Sequence, residues 1–260
     1  MRLESQINFS LIIPTRKRVP LLRKCVDSFF SLAKNPFQIE AIILQDFCDL
    51  ETPSLYSYFN STNFNIKLLL QRRSNLLITH YHNFGSQVGI GLYTLILNDD
   101  AYCVLQNWDE IILNRLNEFL IDKPDRILYS LTNDNIHYQG DHGNFAPPHD
   151  KDFTKVNIRT HGTCFPILSK ETLDAQNCLM PNELEGWCAD NELYKIFEKL
   201  KQNRICDITD IKFLQATTVH NKSLNEQDET QSHMNEITKT HELTPSQQKV
   251  YIDKLNASII

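Results

Sequence analysis

Tyr93-Thr94-Leu95-Ile96-Leu97-Asn98-Asp99-Asp100 decides the reading of this chain, because a short apolar run ends abruptly in two adjacent carboxylates. Leu95, Ile96 and Leu97 suit the centre of a parallel sheet covered on both faces. A chain that leaves such a strand through Asp99 and Asp100 sets hard oxygen ligands at the carboxyl edge of the sheet. Open α/β folds bind their ligands at that edge, and a metal ion can be held there. Asn and Asp are also good turn formers, so an acidic turn is the alternative that the pair by itself leaves open.

Strand and helix patterns alternate on the N-terminal side of this stretch. Phe9 through Ile13 reads as a strand broken by Pro14, and Pro20 opens a helix in which Leu21, Leu22, Cys25, Val26, Phe29 and Phe30 recur on one face. Ile39 through Leu44 and Ile66 through Leu70 are further apolar runs, with room for a helix before each next one. Four strands joined by helices imply an α/β fold with a mainly parallel sheet. Beyond the acidic pair, Asn107 is placed to cap a helix with Ile111, Ile112, Leu116, Phe119 and Leu120 on its apolar face, and Ile127 to Leu131 reads as a fifth strand. Residues from about 133 to 157 are polar and rich in Gly, His, Asp and Pro, which suits either a lid or a solvated excursion. Apolar structure resumes at Cys164-Phe165-Pro166-Ile167-Leu168. A helix is expected after Asp190, a strand near Phe213 to Val219, a polar stretch from Asn225 to Thr244, and a terminal helix over Pro245 to Leu255. That last helix packs either on the domain or on a partner, which includes a second copy of the chain.

With 260 residues, 41% of them hydrophobic, the chain can bury one substantial core but not several full-size domains. The reading is a globular domain over 1–224 followed by a polar linker and helix over 225–260. A formal net charge of −6 argues against general affinity for nucleic acid, so any phosphate on a ligand must be met locally by a metal or a few basic groups. Seven cysteines without a CxxC pair or zinc-like spacing suit a reducing, cytoplasmic environment better than a disulfide framework. No signal-like leader and no run of membrane-spanning length is expected.

Four polar segments line up at the carboxyl side of the inferred sheet: Pro14-Thr15-Arg16-Lys17-Arg18, Gln45-Asp46, Arg72-Arg73-Ser74-Asn75 and Asn98-Asp99-Asp100. Their order resembles the nucleotide-sugar half of GT-A glycosyltransferases, family 2 in particular. Leu11-Ile12-Ile13-Pro14-Thr15 is similar to the family's opening strand, and Asn75 with His82-Asn83-Phe84-Gly85 to the helix leading into its DxD strand. Leu97-Asn98-Asp99-Asp100 is similar to the DxD motif itself. The likeness spans roughly residues 8 to 222, with a donor half at about 8–105 and an acceptor half at about 106–224.

The resemblance implies a metal-dependent, inverting transfer of a sugar from a nucleoside-diphosphate sugar, UDP by family habit, to a hydroxyl of a glycan or other acceptor, as in polysaccharide biosynthesis. It implies Mn²⁺ or Mg²⁺ on Asp100 and on His220, and Asp99 on the ribose or in support of the metal. Asn98 stands where the family often has a carboxylate. Asp46 is matched to the acid that accepts a hydrogen bond from the base, with Pro14, Thr15, Arg16, Arg73 and Asn75 around the nucleotide and Lys222 on a diphosphate oxygen. The chemistry fits, because a departing diphosphate concentrates negative charge that a divalent cation can neutralise. The alternatives residue by residue are a strand-end turn for Asp46, a solvated basic pair for Arg72 and Arg73, and a structural or exposed side chain for His220.

On the acceptor side, Glu185-Gly186-Trp187-Cys188-Ala189-Asp190-Asn191-Glu192-Leu193 resembles the segment that supplies the family's general base, with Ala189 where Glu is common. Asp190 is the matching base; a carboxylate there suits removal of the acceptor proton during in-line attack, although Asp at a helix start is also a good N-cap. His161, Trp187, Glu185 and Glu192 are assigned to acceptor contact, Trp187 through its ring face or else as a core residue. Gln-x-x-Arg-Trp and membrane helices, which mark processive synthases of the wider family, are absent, which favours a single addition. A sugar nucleotidyltransferase is the competing enzyme class, but it calls for a Gly-rich phosphate loop that Pro14 to Arg18 does not supply. A non-catalytic carbohydrate-binding protein on the same fold is the competing non-enzyme.

Overall fold

Four apolar runs form the centre of one sheet. In the computed structural model they are β1 (Phe9–Thr15), β2 (Ile39–Asp46), β3 (Ile66–Gln71) and β4 (Tyr93–Ile96), linked by helices α1 (Val19–Ser31), α2 (Thr52–Asn60) and α3 (Leu77–Val88). The structure describes residues 6–47, 49, 52–72, 77–131, 136–138, 165–184, 189–208, 211, 213–216 and 242–260. The later elements are β5 (Ala101–Cys103), α4 (Trp108–Phe119), β6 (Tyr129–Leu131), β7 (Ile136–Tyr138), β8 (Ile167–Ser169), α5 (Lys170–Gln176), α6 (Ala189–Phe197), β9 (Ile205–Asp207), β10 (Phe213–Ala216) and α7 (Pro245–Ser258).

Seven strands pair in the order β3-β2-β1-β4-β8-β6-β9, and β5-β10-β7 make a second, smaller sheet. Within the large sheet β8 alone runs against its neighbours. The expected α/β architecture with a mainly parallel sheet is therefore what forms. Alternate residues of the central strands feed two cores, as a pleat requires. Leu11, Ile13, Ile43 and Leu95 pack with Phe29 and Phe30 of α1 and Trp108 and Ile112 of α4. Ile12, Ile42, Leu44 and Ile96 pack with Tyr81 of α3, Leu193 and Phe197 of α6, and Tyr251 and Leu255 of α7.

Two local expectations are corrected. Pro14 does not end β1, which continues to Thr15 against Gln45 of β2. The main-chain groups of Asn8 and Ile12 face β4, accepting from Tyr93 and Leu97, so the proline nitrogen two residues on faces the β4 side and not β2. A missing N–H costs no bond to β2 there. Asn107 does not cap α4 through its side chain; it sits at φ 59° and its own N–H reaches Leu32 O at 2.7 Å. Asp109 in the first turn does the tethering, accepting from the N–H groups of Lys34 and Asn35 at 2.7 and 2.9 Å.

Two features fix the layer that carries the site. Gly85 lets α3 lie against β1 and β2, since a Cβ there would come within 2.7 Å of Ile12 Cγ2 and 2.9 Å of Leu44 Cδ1. The C-terminal helix α7 opens with a capping box between Thr244 and Gln247 and buries Tyr251 and Leu255 in its own chain's second core. Of the two alternatives for this helix, packing on the domain is the one observed. Among the described residues no helix is long and apolar enough to cross a membrane.

Candidate functional site

Because β2, β1 and β4 lie side by side, their carboxyl ends bring three of the four polar segments to one place. The turn after β4 is closed by Ala101 N donating to Asn98 O at 3.0 Å, and the buried Cys25 thiol lies 3.6 Å from the same carbonyl. Asn98 thus contributes its main chain to the shape of the turn, and the side chains of Asp99 and Asp100 are carried into the interior, 4% and 7% exposed. Thr15, the last residue of β1, donates its hydroxyl to Asp99 Oδ2 at 2.9 Å. Arg18, just before α1, forks across the pair, with one terminal nitrogen 2.9 Å from Asp99 Oδ1 and the other 2.6 Å from Asp100 Oδ2.

A second cluster stands at the end of β2. Arg16 Nε is 3.0 Å from Asp46 Oδ2, and the Tyr81 hydroxyl of α3 donates to the other oxygen of the same carboxylate. Lys17, at φ 52°, turns its N–H to Asp49 Oδ2 at 2.7 Å. Pro14 is half-buried between these contacts. The loop after β1 therefore points successive residues alternately at the two acidic strand ends: Arg16 to Asp46, Arg18 to Asp99 and Asp100.

Burial dominates the electrostatics. It pushes the Asp99 carboxyl up to about 7, against the opposing pull of Arg18 and with a further push from Asp100. Burial, reinforced by Asp99, likewise raises the Cys25 thiol well above its ordinary value, so that thiol is no nucleophile. A buried carboxylate under this pressure favours a nearby cation. Asp99 and Asp100 offer hard oxygens, and a Mg²⁺ or Mn²⁺ ion accepts such a partial set when phosphate oxygens and water complete its coordination. Among the described residues no group of three or more His, Cys, Asp or Glu gathers, so the acid pair is the donor set found there. The pair fits such an ion.

Arg73, Asn75, His161, Glu185, Trp187, His220 and Lys222 lie outside the described residues. Asp190 falls in the first turn of α6, and only its backbone is described. Glu192, expected at the acceptor, is placed elsewhere: its side chain is buried and bonded to Lys195 Nζ at 2.6 Å, Gln248 Nε2 at 3.0 Å and Leu243 N at 3.3 Å. The C-terminal segment occupies Oε2 and Lys195 of α6 itself occupies Oε1, so the structure gives it a packing role. Arg18, Tyr81 and Asp49 were not among the expected site residues. Arg18 lies in the basic run after the first strand, which signals an acidic counterpart without saying which arginine meets it. Tyr81 carries no signal beyond its place six residues after Asn75.

No protein-family model and no curated protein sequence matches the chain. Solved structures do match in fold. S. aureus TarS 1-349 in complex with UDP superposes with a TM-score of 0.57 at 15% identity, over 96% of this chain and 71% of that one. Mannosyltransferase PcManGT from Pyrobaculum calidifontis, solved with GDP-Man and Mn²⁺, gives 0.57 at 13% identity over 97% and 70%. GalNAc-T7 with UDP, GalNAc and Mn²⁺ gives 0.59 at 17% identity over 84% and 45%. By superposition on these structures, the chain has the GT-A glycosyltransferase fold.

Proposed function

We propose that this chain is a metal-dependent glycosyltransferase that moves a sugar from a nucleoside-diphosphate sugar, with UDP the first candidate, to a hydroxyl of a glycan or other acceptor, with inversion and by single addition. The observation that carries the reading is the buried Asp99–Asp100 pair, joined to Thr15 and Arg18 where β1 and β4 end, on a GT-A fold. The matched structures that contain UDP, GDP-Man or Mn²⁺ support it by analogy of fold.

In this reading Asp99 and Asp100 hold a divalent cation, with His220 as a further ligand. When bound, the cation neutralises charge developing on the leaving diphosphate. Asp46 accepts a base N–H, with Arg16 beside it to donate to a base carbonyl; the contact between the two sets that donor and acceptor side by side. Thr15, Arg73 and Asn75 flank the nucleotide and Lys222 meets a diphosphate oxygen. Asp190 removes the acceptor proton, while His161, Trp187 and Glu185 hold the acceptor. Residues 8–105 then serve the donor and 106–224 the acceptor.

A thermal-shift panel of UDP-, GDP-, CDP- and ADP-sugars, with and without Mn²⁺, tests the reading. A cognate donor at about 100 times its Kd should raise the melting temperature by about 5–10 °C, and only with metal present. If no nucleotide sugar shifts the transition under either condition, the reading fails.

A further inference from the structure

We propose that Arg18 is a resident counter-cation of the acid pair: its guanidinium holds Asp99 and Asp100 until a divalent cation displaces it, and the freed side chain then meets the diphosphate. This inference rests on the metal-binding reading above and adds a role for a residue that reading leaves out.

Two carboxylates side by side in a buried turn repel each other, and the repulsion grows as water is excluded. One guanidinium, 2.9 Å from Asp99 and 2.6 Å from Asp100, bridges them with separate nitrogens in the fork geometry that arginine offers and lysine does not. With Thr15 on the second oxygen of Asp99, both oxygens of that carboxylate are engaged. A cation that binds between Asp99 and Asp100 must therefore take a position that Arg18 now holds.

The charges set the direction of the exchange. With both acids ionised, two carboxylates and one guanidinium leave the cluster at −1; a divalent ion on the same carboxylates brings them to zero and repels the arginine. A nucleoside diphosphate arriving with the metal supplies the next available anion. Arg18 can follow it, because its side chain is 30% exposed while those of the two acids are 5% and 8%. It is also the residue at which the loop turns into α1, whose first turn is anchored on its own carbonyl through Leu21 N and Leu22 N at 3.0 Å. The main chain thus stays fixed while the side chain moves.

The test is calorimetric titration of Mn²⁺ alone, and of UDP in saturating Mn²⁺, into the full chain and its Arg18→Gln and Arg18→Lys variants. Removing the competitor should tighten Mn²⁺ binding without nucleotide by about tenfold in Arg18→Gln, while UDP affinity in Mn²⁺ weakens by about fivefold. Arg18→Lys keeps the charge but not the fork, which preserves the fold if Gln does not, and should tighten Mn²⁺ binding by about threefold. If folded variants bind Mn²⁺ no more tightly than the parent, while the parent still binds UDP in a Mn²⁺-dependent manner, the counter-cation role is overturned and the glycosyltransferase reading stands. If the parent binds UDP equally with Mn²⁺ and with chelator, the metal reading itself fails and this inference falls with it.

Discussion

The two faces of the site region are held together by different chemistry. At the carboxyl ends of β1, β2 and β4, buried acids meet arginines, as Asp46 meets Arg16 and the Asp99–Asp100 pair meets Arg18. Behind α3, toward the start of α6, the links are mostly neutral. Asn83 there accepts from Leu179 N and Met180 N at 2.9 and 2.7 Å and donates to Met180 O and Asn182 Oδ1 at 2.9 and 2.8 Å. Tyr251 of α7 continues the chain of contacts, accepting from Asn182 N and donating to Glu183. Charge pairs can be exchanged for a metal and a diphosphate, since one ion replaces another. A saturated amide network offers no such exchange, so it sets the frame on which the region before α6 is mounted.

That contrast is best broken at its functional end first. Asp190→Asn keeps the size of the side chain in the first turn of α6 but cannot take a proton at neutral pH, so turnover should fall by roughly 10²–10⁴-fold with folding and UDP affinity kept. Near-parental transfer, or retention of the anomeric configuration, would remove Asp190 from the role. A smaller effect of another kind is expected at Asn83. Asn83→Ala strands the buried N–H groups of Leu179 and Met180 and should cost roughly 3 kcal/mol in denaturant unfolding. UDP affinity should change less than threefold, and a large loss of it would show that the two regions are not separable in this way.

His82, one position before Asn83, sharpens the comparison through pH. It is 2% exposed, neither ring nitrogen has a hydrogen-bond partner among the described residues, and burial lowers its pKa from 6.5 to about 3. The unfolded chain takes up a proton below pH 6.5 that the folded chain refuses until about pH 3, so stability falls as pH drops through that window, by roughly 2 kcal/mol at pH 5. Asp99, raised by its burial, acts with the opposite sign between pH 3.8 and about 7, where stability is lost as pH rises. The two partly offset in the parent, so the observable is the difference between parent and His82→Leu. The variant should lose less stability on acidification, and parallel pH profiles would contradict this. The smallest effect belongs to Tyr251→Phe, which removes the hydroxyl between Asn182 N and Glu183. It should cost about 1 kcal/mol and leave UDP binding untouched, as comparison of urea midpoints with a UDP titration would show.

How much of this was legible in the sequence follows the same division. The donor edge could be read because each chemical segment follows an apolar strand, and parallel strands deliver their ends to a common edge. Even Pro14 misleads only over where β1 stops, since its missing N–H falls on the β4 side and leaves the pairing with β2 intact. The pairing within that edge was hidden, because Arg16, Lys17 and Arg18 look alike in sequence and only the turn at Lys17 assigns Arg18 to the acid pair. The region before α6 was hidden for another reason. Asn83 reaches Met180 across 97 positions, and Glu192 reads as a site acid beside Asp190 until Lys195 is seen on one of its oxygens and Leu243 N and Gln248 of the C-terminal segment on the other. Short elements also escaped: α5 has seven residues and is marked only by Ser169, whose hydroxyl accepts from Thr172 N.

The central claim is that the Asp99–Asp100 pair binds a nucleoside diphosphate through a divalent cation. Titration of UDP into the parent chain and Asp100→Ala, each with Mn²⁺ and with chelator, measures it directly. The claim predicts at least tenfold tighter UDP binding with Mn²⁺ in the parent, about 1.4 kcal/mol or more, and loss of that difference in the variant. Equal affinity of the parent in Mn²⁺ and in chelator, or an undiminished Mn²⁺ effect in Asp100→Ala, would contradict it.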